Sequence, residues 1–375
     1  MIDQNIRFLA KHFEVTVAYF SKQHNGERNN PLFNEYQLNF PGLFQLILNL
    51  LFRAKYSLQE RLFYSKSNQK LINRLIKEKQ PRVVICDMIR TAQYLESTDI
   101  PKVLDMDDVL SKRYMRAANL RNDFDFVGTF DFPGIIATLM RLEPVKWFSS
   151  VLLKYESRKI GAREKSLAKV FDLTILVSPL ETMELNSSIN CGAICIPPSV
   201  RLSENIYTNP KENNLLFLGN FTSNQNFQSI KYILEELMPN IDLPGKKITL
   251  IGKADERLTE LIRSYSYAEH LGFVDDLNEV FKEIKLAVFY IAFGTGIKTK
   301  ILDVLNCGIP VITNSVGAEG LSIEGAFLVE NEKSDFISEI QRICENADDL
   351  LTLSKNGHSY IEKYFDERLI EAKYI

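Results

Sequence analysis

Short runs of β-branched and apolar residues alternate with longer helical patterns along the whole chain, and this alternation restricts the fold more than any other feature. The predicted strands of the first half are Val15–Phe20, Val83–Asp87, Val103–Asp107, Thr174–Ser178 and Ala193–Pro197. Those of the second half are Leu215–Leu218, Ile248–Gly252, Ala287–Tyr290, Val311–Thr313 and Phe327–Val329. Helix-length segments such as Ser67–Glu78, Tyr155–Lys169, Gln228–Met238 and Lys298–Asn306 lie between them. Buried-type strands separated by helices read as parallel α/β sheets. The pattern completes two cycles, with a break at Pro197–Asn214, a stretch rich in Pro, Ser, Asn and charge. The expectation is two similar α/β domains, 1–200 and 201–358, facing each other. In open α/β sheets ligands bind beyond the carboxyl ends of the strands, so a cleft between the two is the expected site.

Composition removes several classes. At 375 residues, 45% hydrophobic and 25% charged, the chain is an ordinary globular sequence. A formal net charge of −3 gives no basic footprint for nucleic acid. Five cysteines without framework spacing fit a reducing compartment and a cytoplasmic location. Cys191 and Cys195 are the only close pair, and no second Cys/His pair completes a zinc set. The chain opens on polar Asp3, Gln4 and Asn5, unlike a signal peptide. The apolar run Leu43–Phe52 is interrupted by Gln45 and Asn49 and falls short of the roughly 20 residues that span a bilayer.

The segment Phe293 to Pro310 carries the most chemistry. It follows an apolar strand and opens a helix. Gly294 and Gly296, flanking Thr295, let the backbone approach a ligand, and free N–H groups at a helix start hold phosphate. Lys298 and Lys300 put cations where the helix dipole disfavours them, which a bound anion would offset. Asp303 follows on the same helix, able to accept hydrogen bonds from a hydroxyl pair. Gly308 and Pro310 end the helix. A second Gly-rich loop, Ser315 to Leu321, follows the next strand; the amides of Gly317, Ala318, Glu319, Gly320 and Leu321 are candidates for a diphosphate or sugar. Spacing alone also allows an ordinary strand–helix turn, a solvated lysine pair and a plain loop.

These pieces, in order, resemble the GT-B glycosyltransferases, specifically the retaining group of glycosyltransferase family 4. Leu216 to Asn220 followed by Asn226 looks like the family's first C-terminal strand and glycine turn. Ile248 to Gly252 looks like the second strand, and Leu271 to Asp276 is similar to the G-x-V-x-D turn. Gly294 to Pro310 and Gly317 to Leu321 match the donor loop, helix and following loop. Asp172 to Ser178 resembles the strand before the linker, and Pro197 to Val200 sits where a Pro-Asn-Gly-Val type sequence is usual. The resemblance implies two Rossmann-like domains, with a last helix near 359–375 crossing back to the first. It implies that Asp303 binds donor ribose hydroxyls, that Lys298 neutralises the diphosphate, and that Gly219 lies near the cleft. It also implies retention of anomeric configuration without a bound metal or cofactor.

The chain departs from the family pattern in four places. Thr295 and Asp303 stand where the usual pattern has two glutamates. Asn224, Gln225 and Asn226 occupy the stretch that often holds an Arg/Lys pair. Many members have a histidine near the strand end where this chain has Asp107; with Asp105 and Asp108 it is either a cleft carboxylate or part of a turn or helix cap. Residues 1–12 read as a helix and Glu14 to Phe20 as the second strand, so the first strand and its loop are expected to be missing. Two apolar stretches, Phe40–Ala54 and Phe124–Trp147, carry basic residues such as Arg53, Lys55 and Arg141. They read either as core helices or as surfaces that dock on the inner face of a membrane beside a polyprenyl-linked acceptor.

The expected activity is transfer of a sugar from a nucleotide-sugar to a glycan or lipid-linked acceptor, as in bacterial capsule, O-antigen or exopolysaccharide assembly. Alternatives are a catalytically weak subunit that binds a partner glycosyltransferase and a sugar-nucleotide epimerase. The epimerase is disfavoured because His270 is the only one of the four histidines in a cleft-side loop.

Overall fold

A computed structural model describes residues 2–20, 32–119 and 143–374. The chain divides into two compact units. Residues up to Ala118, Phe148–Ile196 and Glu371 onward form the first, and Pro197–Ile370 belong to the second.

The second unit is built on a six-stranded sheet in the order β12-β11-β10-β7-β8-β9. The strands are β7 (Asn214–Leu218), β8 (Lys247–Ile251), β9 (Ala268–Gly272), β10 (Leu286–Phe289), β11 (Val311–Thr313) and β12 (Leu328–Val329). Every pairing is parallel. This is the doubly wound order of a Rossmann fold. Strands covered on both faces must be apolar throughout, and Leu215, Leu216, Phe217, Leu286, Ala287, Val288 and Phe289 are all buried. They join the helices Thr299–Asn306 and Ala347–Tyr364 in one apolar cluster.

The first unit carries a four-stranded parallel sheet, β3 (Val84–Asp87), β4 (Lys102–Asp105), β5 (Leu173–Leu176) and β6 (Ile194–Cys195), joined in sequence order. A separate parallel pair, β1 (Thr16–Phe20) and β2 (Asn34–Leu38), shares no ladder with it. Among the described residues no strand joins β1 to β3. Ile2–His12 is the expected helix.

The long helix Glu143–Val170 fastens this unit with charge. Glu156 accepts the amides of Leu58 and Gln59, both at 2.9 Å, and so caps the helix Leu58–Phe63. Glu164 accepts the Ser111 amide (3.0 Å) and hydroxyl (2.5 Å) at the start of Leu110–Asn119. Arg163 forks onto buried Glu60 and also meets Glu96.

Several sequence expectations shift. β2 and β9 were not expected as strands, because Asn-Glu-Tyr-Gln-Leu and Ala-Glu-His-Leu-Gly are polar edge strands without an apolar run. β4 stops at Asp105 rather than Asp107, since the chain turns with Asp107 at φ +62°. β6 shortens to Ile194–Cys195. The terminal helix is two: Ala347–Tyr364 breaks at Phe365 and resumes as Glu367–Glu371. An isolated bridge from Val200 to Asp366 ties that break to the start of the second unit. Tyr374 meets Asn5 and Phe8 of the first unit. Of the two apolar stretches, residues 120–142 lie outside the described residues.

Candidate functional site

In the second unit the chain leaves β7 towards β8 on one side and leaves β10 towards β11 on the other. The loops after β7 and β10 therefore diverge and open a crevice at their carboxyl ends, the usual ligand position in such sheets. Ser223 accepts the Asn226 amide and so caps the helix Asn224–Tyr232 beside that crevice. Two polar side chains pin the loop after β10. Ser229 Oγ accepts the Ala292 amide at 3.0 Å. Asn314 Oδ1 accepts the amides of Ile291 (3.2 Å) and Gly317 (3.1 Å), and its Nδ2 donates to the Ile291 carbonyl at 2.9 Å. The two Gly-rich loops are thus held by one asparagine. Gly294 has φ +142°, and a Cβ there would lie 2.8 Å from Gln225 Nε2. At Gly317 a Cβ would meet Thr313 Oγ1 at 1.9 Å, so that position excludes any side chain.

The two lysines separate. Lys298 is the N-cap of Thr299–Asn306 and is buried. Its Nζ donates to the carbonyls of Thr295 (3.0 Å) and Gly296 (2.6 Å), curling the ammonium into the loop. Lys300 Nζ donates to Asn226 Oδ1 at 2.5 Å and stands 4.6 Å from the Phe217 ring centroid of β7 and 5.8 Å from that of Phe289 of β10. It sits at the strand-order reversal itself. Burial, then the nearby Lys298 charge, lower its pKa to about 7. An anion there restores the charged form. At the start of the same helix the Ile301 amide bonds to the Lys298 carbonyl at 2.9 Å, while the Thr299 and Lys300 amides have no intrahelical acceptor, so amide donors and a cation converge on one end.

Asp303 lies on the open face of that helix, four residues from exposed Thr299. Surrounding protein raises its pKa from the usual carboxylate range. Thr295 is buried in the loop. Gly219 follows β7, with the Asn226 amide 3.0 Å from where a Cβ would stand. Ala318 is buried, while Glu319, Gly320 and Leu321 are partly exposed along the second loop. His270 is held by the Gly252 carbonyl at 2.8 Å and packs edge-on against Phe221.

In the first unit, Asp87 ends β3 and pairs in register with Asp105, which ends β4. Asp105 Oδ1 accepts the Asp107 amide at 3.1 Å. Burial and the Asp105 charge raise Asp87 to about 6. Burial and then the Asp108 charge raise Asp107 to about 7. Asp105 is raised by burial too. Asp108 belongs elsewhere: its buried carboxylate pairs with Arg113. The sequence reading missed Asp87, although Val-Ile-Cys-Asp repeats the strand-then-Asp pattern seen at Val-Leu-Asp. It also missed Asn226 and Asn314, whose side chains fasten the loops.

Comparison with known proteins agrees with this fold. Residues 212–346, from the approach to β7 through the helix Lys333–Glu345, match the family described as "Glycosyl transferases group 1". An uncharacterized 44.6 kDa protein in the cps region of Klebsiella pneumoniae is 21% identical over 169 residues, 42% of this chain and 44% of that protein. The chain thus matches less than half the length of this relative. Sucrose-phosphate synthase from Thermosynechococcus elongatus superposes with a TM-score of 0.70 at 16% identity, over 100% of this chain and 90% of its own. Anabaena HepE, solved with UDP and glucose, gives 0.62 at 14% identity, over 99% and 93%. Residues 212–346 thus match the group 1 glycosyl transferases, and the chain has the fold of these solved structures, the GT-B arrangement of two Rossmann-like domains.

Proposed function

We propose that the chain is a retaining glycosyltransferase that moves a sugar from a nucleotide-sugar to a glycan or polyprenyl-linked acceptor during assembly of a bacterial surface polysaccharide. The observation that carries this reading is Lys300 beside a helix N-terminus at the reversal of strand order. HepE's UDP and glucose support a nucleotide-sugar donor, and the cps location of the Klebsiella relative supports the pathway. Free thiols at all five cysteines fit the cytoplasm, where the reducing pool keeps them so.

Each group then has a part. Lys300 and the first-turn amides of Thr299–Asn306 stabilise charge growing on the departing diphosphate. Lys298 holds the loop that presents those amides. Asp303 accepts from ribose hydroxyls. The amides from Gly317 to Leu321 line the diphosphate and sugar. Asp107, with Asp87 and Asp105, accepts from acceptor hydroxyls. The acceptor oxygen attacks the anomeric carbon on the face the diphosphate leaves, and its proton passes to the leaving phosphate oxygen. Positive charge comes from lysines and amides, so no metal is assigned.

Titration calorimetry with UDP, GDP and CMP tests this. One nucleotide should bind selectively, and Lys300→Met should weaken it at least tenfold with an unchanged melting midpoint. No binding of any of the three to folded protein overturns the donor site. A product with an epimerised rather than transferred sugar overturns the reaction.

A further inference from the structure

The helix Leu43–Phe52 faces the wrong way for a globular protein. It has ten residues, eight of them Leu, Ile or Phe, and only Leu46 and Asn49 are buried. Asn49 anchors it, donating from Nδ2 to the carbonyls of Arg61 (2.9 Å) and Tyr64 (2.8 Å), while Gln45 donates to Asn49 Oδ1 at 2.9 Å. The apolar side chains point out instead: Phe44 is 77% exposed, Phe52 78%, Leu43 and Leu51 66% each, and Ile47 48%. Burying polar Asn49 while leaving these in water costs free energy unless something covers them.

Charge identifies the cover. No acidic residue occurs from Tyr36 to Gln59. Lys55 is exposed just past the helix. The neighbouring helix Glu143–Val170 is tied to the same segment through Lys159 Nζ on the Ala54 carbonyl (3.2 Å) and through Glu156. It adds exposed Val151 and Tyr155 beside exposed Lys154 and Arg158. Apolar and aromatic side chains fringed by cations fit an anionic lipid interface. A second copy of this face would set lysine against lysine. The helix, about 15 Å long at 1.5 Å per residue, is far too short to cross a bilayer and suits lying along one.

We infer that Leu43, Phe44, Ile47, Leu51 and Phe52, with Lys55, Lys154 and Arg158, dock the first unit on the surface of an anionic bilayer. This deepens the proposed reading by naming the surface on which a lipid-linked acceptor is met, but its test needs no turnover. The full chain is sedimented with phosphatidylcholine vesicles with and without phosphatidylglycerol. Wild type should bind the phosphatidylglycerol vesicles at least tenfold more tightly than either the Phe44→Ser, Leu51→Ser double variant or wild type on phosphatidylcholine alone. Lys55→Glu with Lys154→Glu should weaken only the anionic case, severalfold. Leu180→Ser, at an exposed apolar residue on another helix, should bind like wild type. All variants replace exposed side chains, and their melting midpoints should match wild type. Wild type left in the supernatant, or a double variant that binds equally, overturns the inference. So does a dimer, by sedimentation without vesicles, that the double variant abolishes, since the face then belongs to a second copy. Nucleotide binding measured on the same samples reads the donor site separately.

Discussion

The two sheets run all their strands in the same sense, yet they are held by different materials. In the second unit β7 and β10 are enclosed by aliphatic and aromatic side chains on both faces. In the first unit β3 leaves Ile85 at 46% exposed, with Val83 just before it at 47%, and buried ions from the long helix fasten the surroundings. The chemistry at the strand ends differs likewise. Amides and Lys300 gather beyond β7 and β10, and carboxylates gather beyond β3 and β4. A parallel sheet fixes where ligand-facing groups stand, and the residues at its strand ends decide which charge they receive.

The sharpest way to break this contrast is through the ions. Glu60→Ala leaves the Arg163 guanidinium with only Glu96, inside a site where Glu60 is fully buried. Removing one partner of a buried pair costs about 3–5 kcal/mol, read as a lower denaturant midpoint for the first unit. Adding Arg163→Met to that variant should recover much of the loss, because the uncompensated charge goes with it. In the second unit Phe289→Ala should cost a similar ~3–5 kcal/mol, and no second charge removal repairs a cavity. Equal repair in both units would erase the distinction.

The lysines sharpen it next. Lys300→Met should lower kcat/KM about 100-fold, roughly 2.7 kcal/mol of transition-state stabilisation, with little change in melting. Lys298→Met should act the other way round. Two loop carbonyls lose a charged donor, a bond class worth about 1.5–3 kcal/mol, so the midpoint falls and donor binding weakens as a consequence. Thermal melts alongside steady-state kinetics separate the two lysines. If Lys298→Met loses turnover at full stability, the phosphate charge belongs to Lys298, as the sequence resemblance implies.

That distinction shows what the sequence carries and what it omits. The alternation of strands and helices was legible because strands buried on both faces are apolar without interruption, as in Leu215 to Leu218. β2 and β9 were not, because an edge strand with a solvated face uses Asn, Glu, Gln and His freely. The loop after β10 was legible through its glycines, since Gly294 needs a backbone angle that side chains avoid. How the two lysines divide was not, because a four-carbon stem reaches either the loop carbonyls or Asn226 from nearly the same backbone. Asp87 escaped because its relation to Asp105 is a register between strands separated in sequence. The sequence left Leu43–Phe52 open between a core helix and a membrane surface, because an apolar helix reads the same whether it packs inward or not.

The smallest expected effects are in pH, and they have opposite signs in the two units. Asp87 and Asp107 have folded pKa values raised to about 6 and about 7, above the ordinary 3.8. Between 3.8 and those values the folded state binds more protons than the unfolded chain, so stability falls as pH rises. Their contribution is full below pH 3.8 and is lost by about pH 7. Lys300 is lowered from 10.5 to about 7. Between 7 and 10.5 the unfolded chain binds the extra proton, so its contribution rises with pH and is lost as pH falls through 7. Asp107→Asn should flatten the acid side of the stability profile and leave the alkaline side alone, while Lys300→Met should do the reverse. Nucleotide binding adds an independent reading. Below pH 7 Lys300 is already charged, whereas above it the ligand must also draw a proton onto the amine. Diphosphate affinity should therefore weaken from pH 6 to pH 8 in wild type, with proton uptake visible as a buffer-dependent heat, and should stay flat across that range in Lys300→Met apart from the nucleotide's own titration. A wild-type affinity as flat as the variant's would place the anion away from Lys300 and remove the cationic half of the contrast.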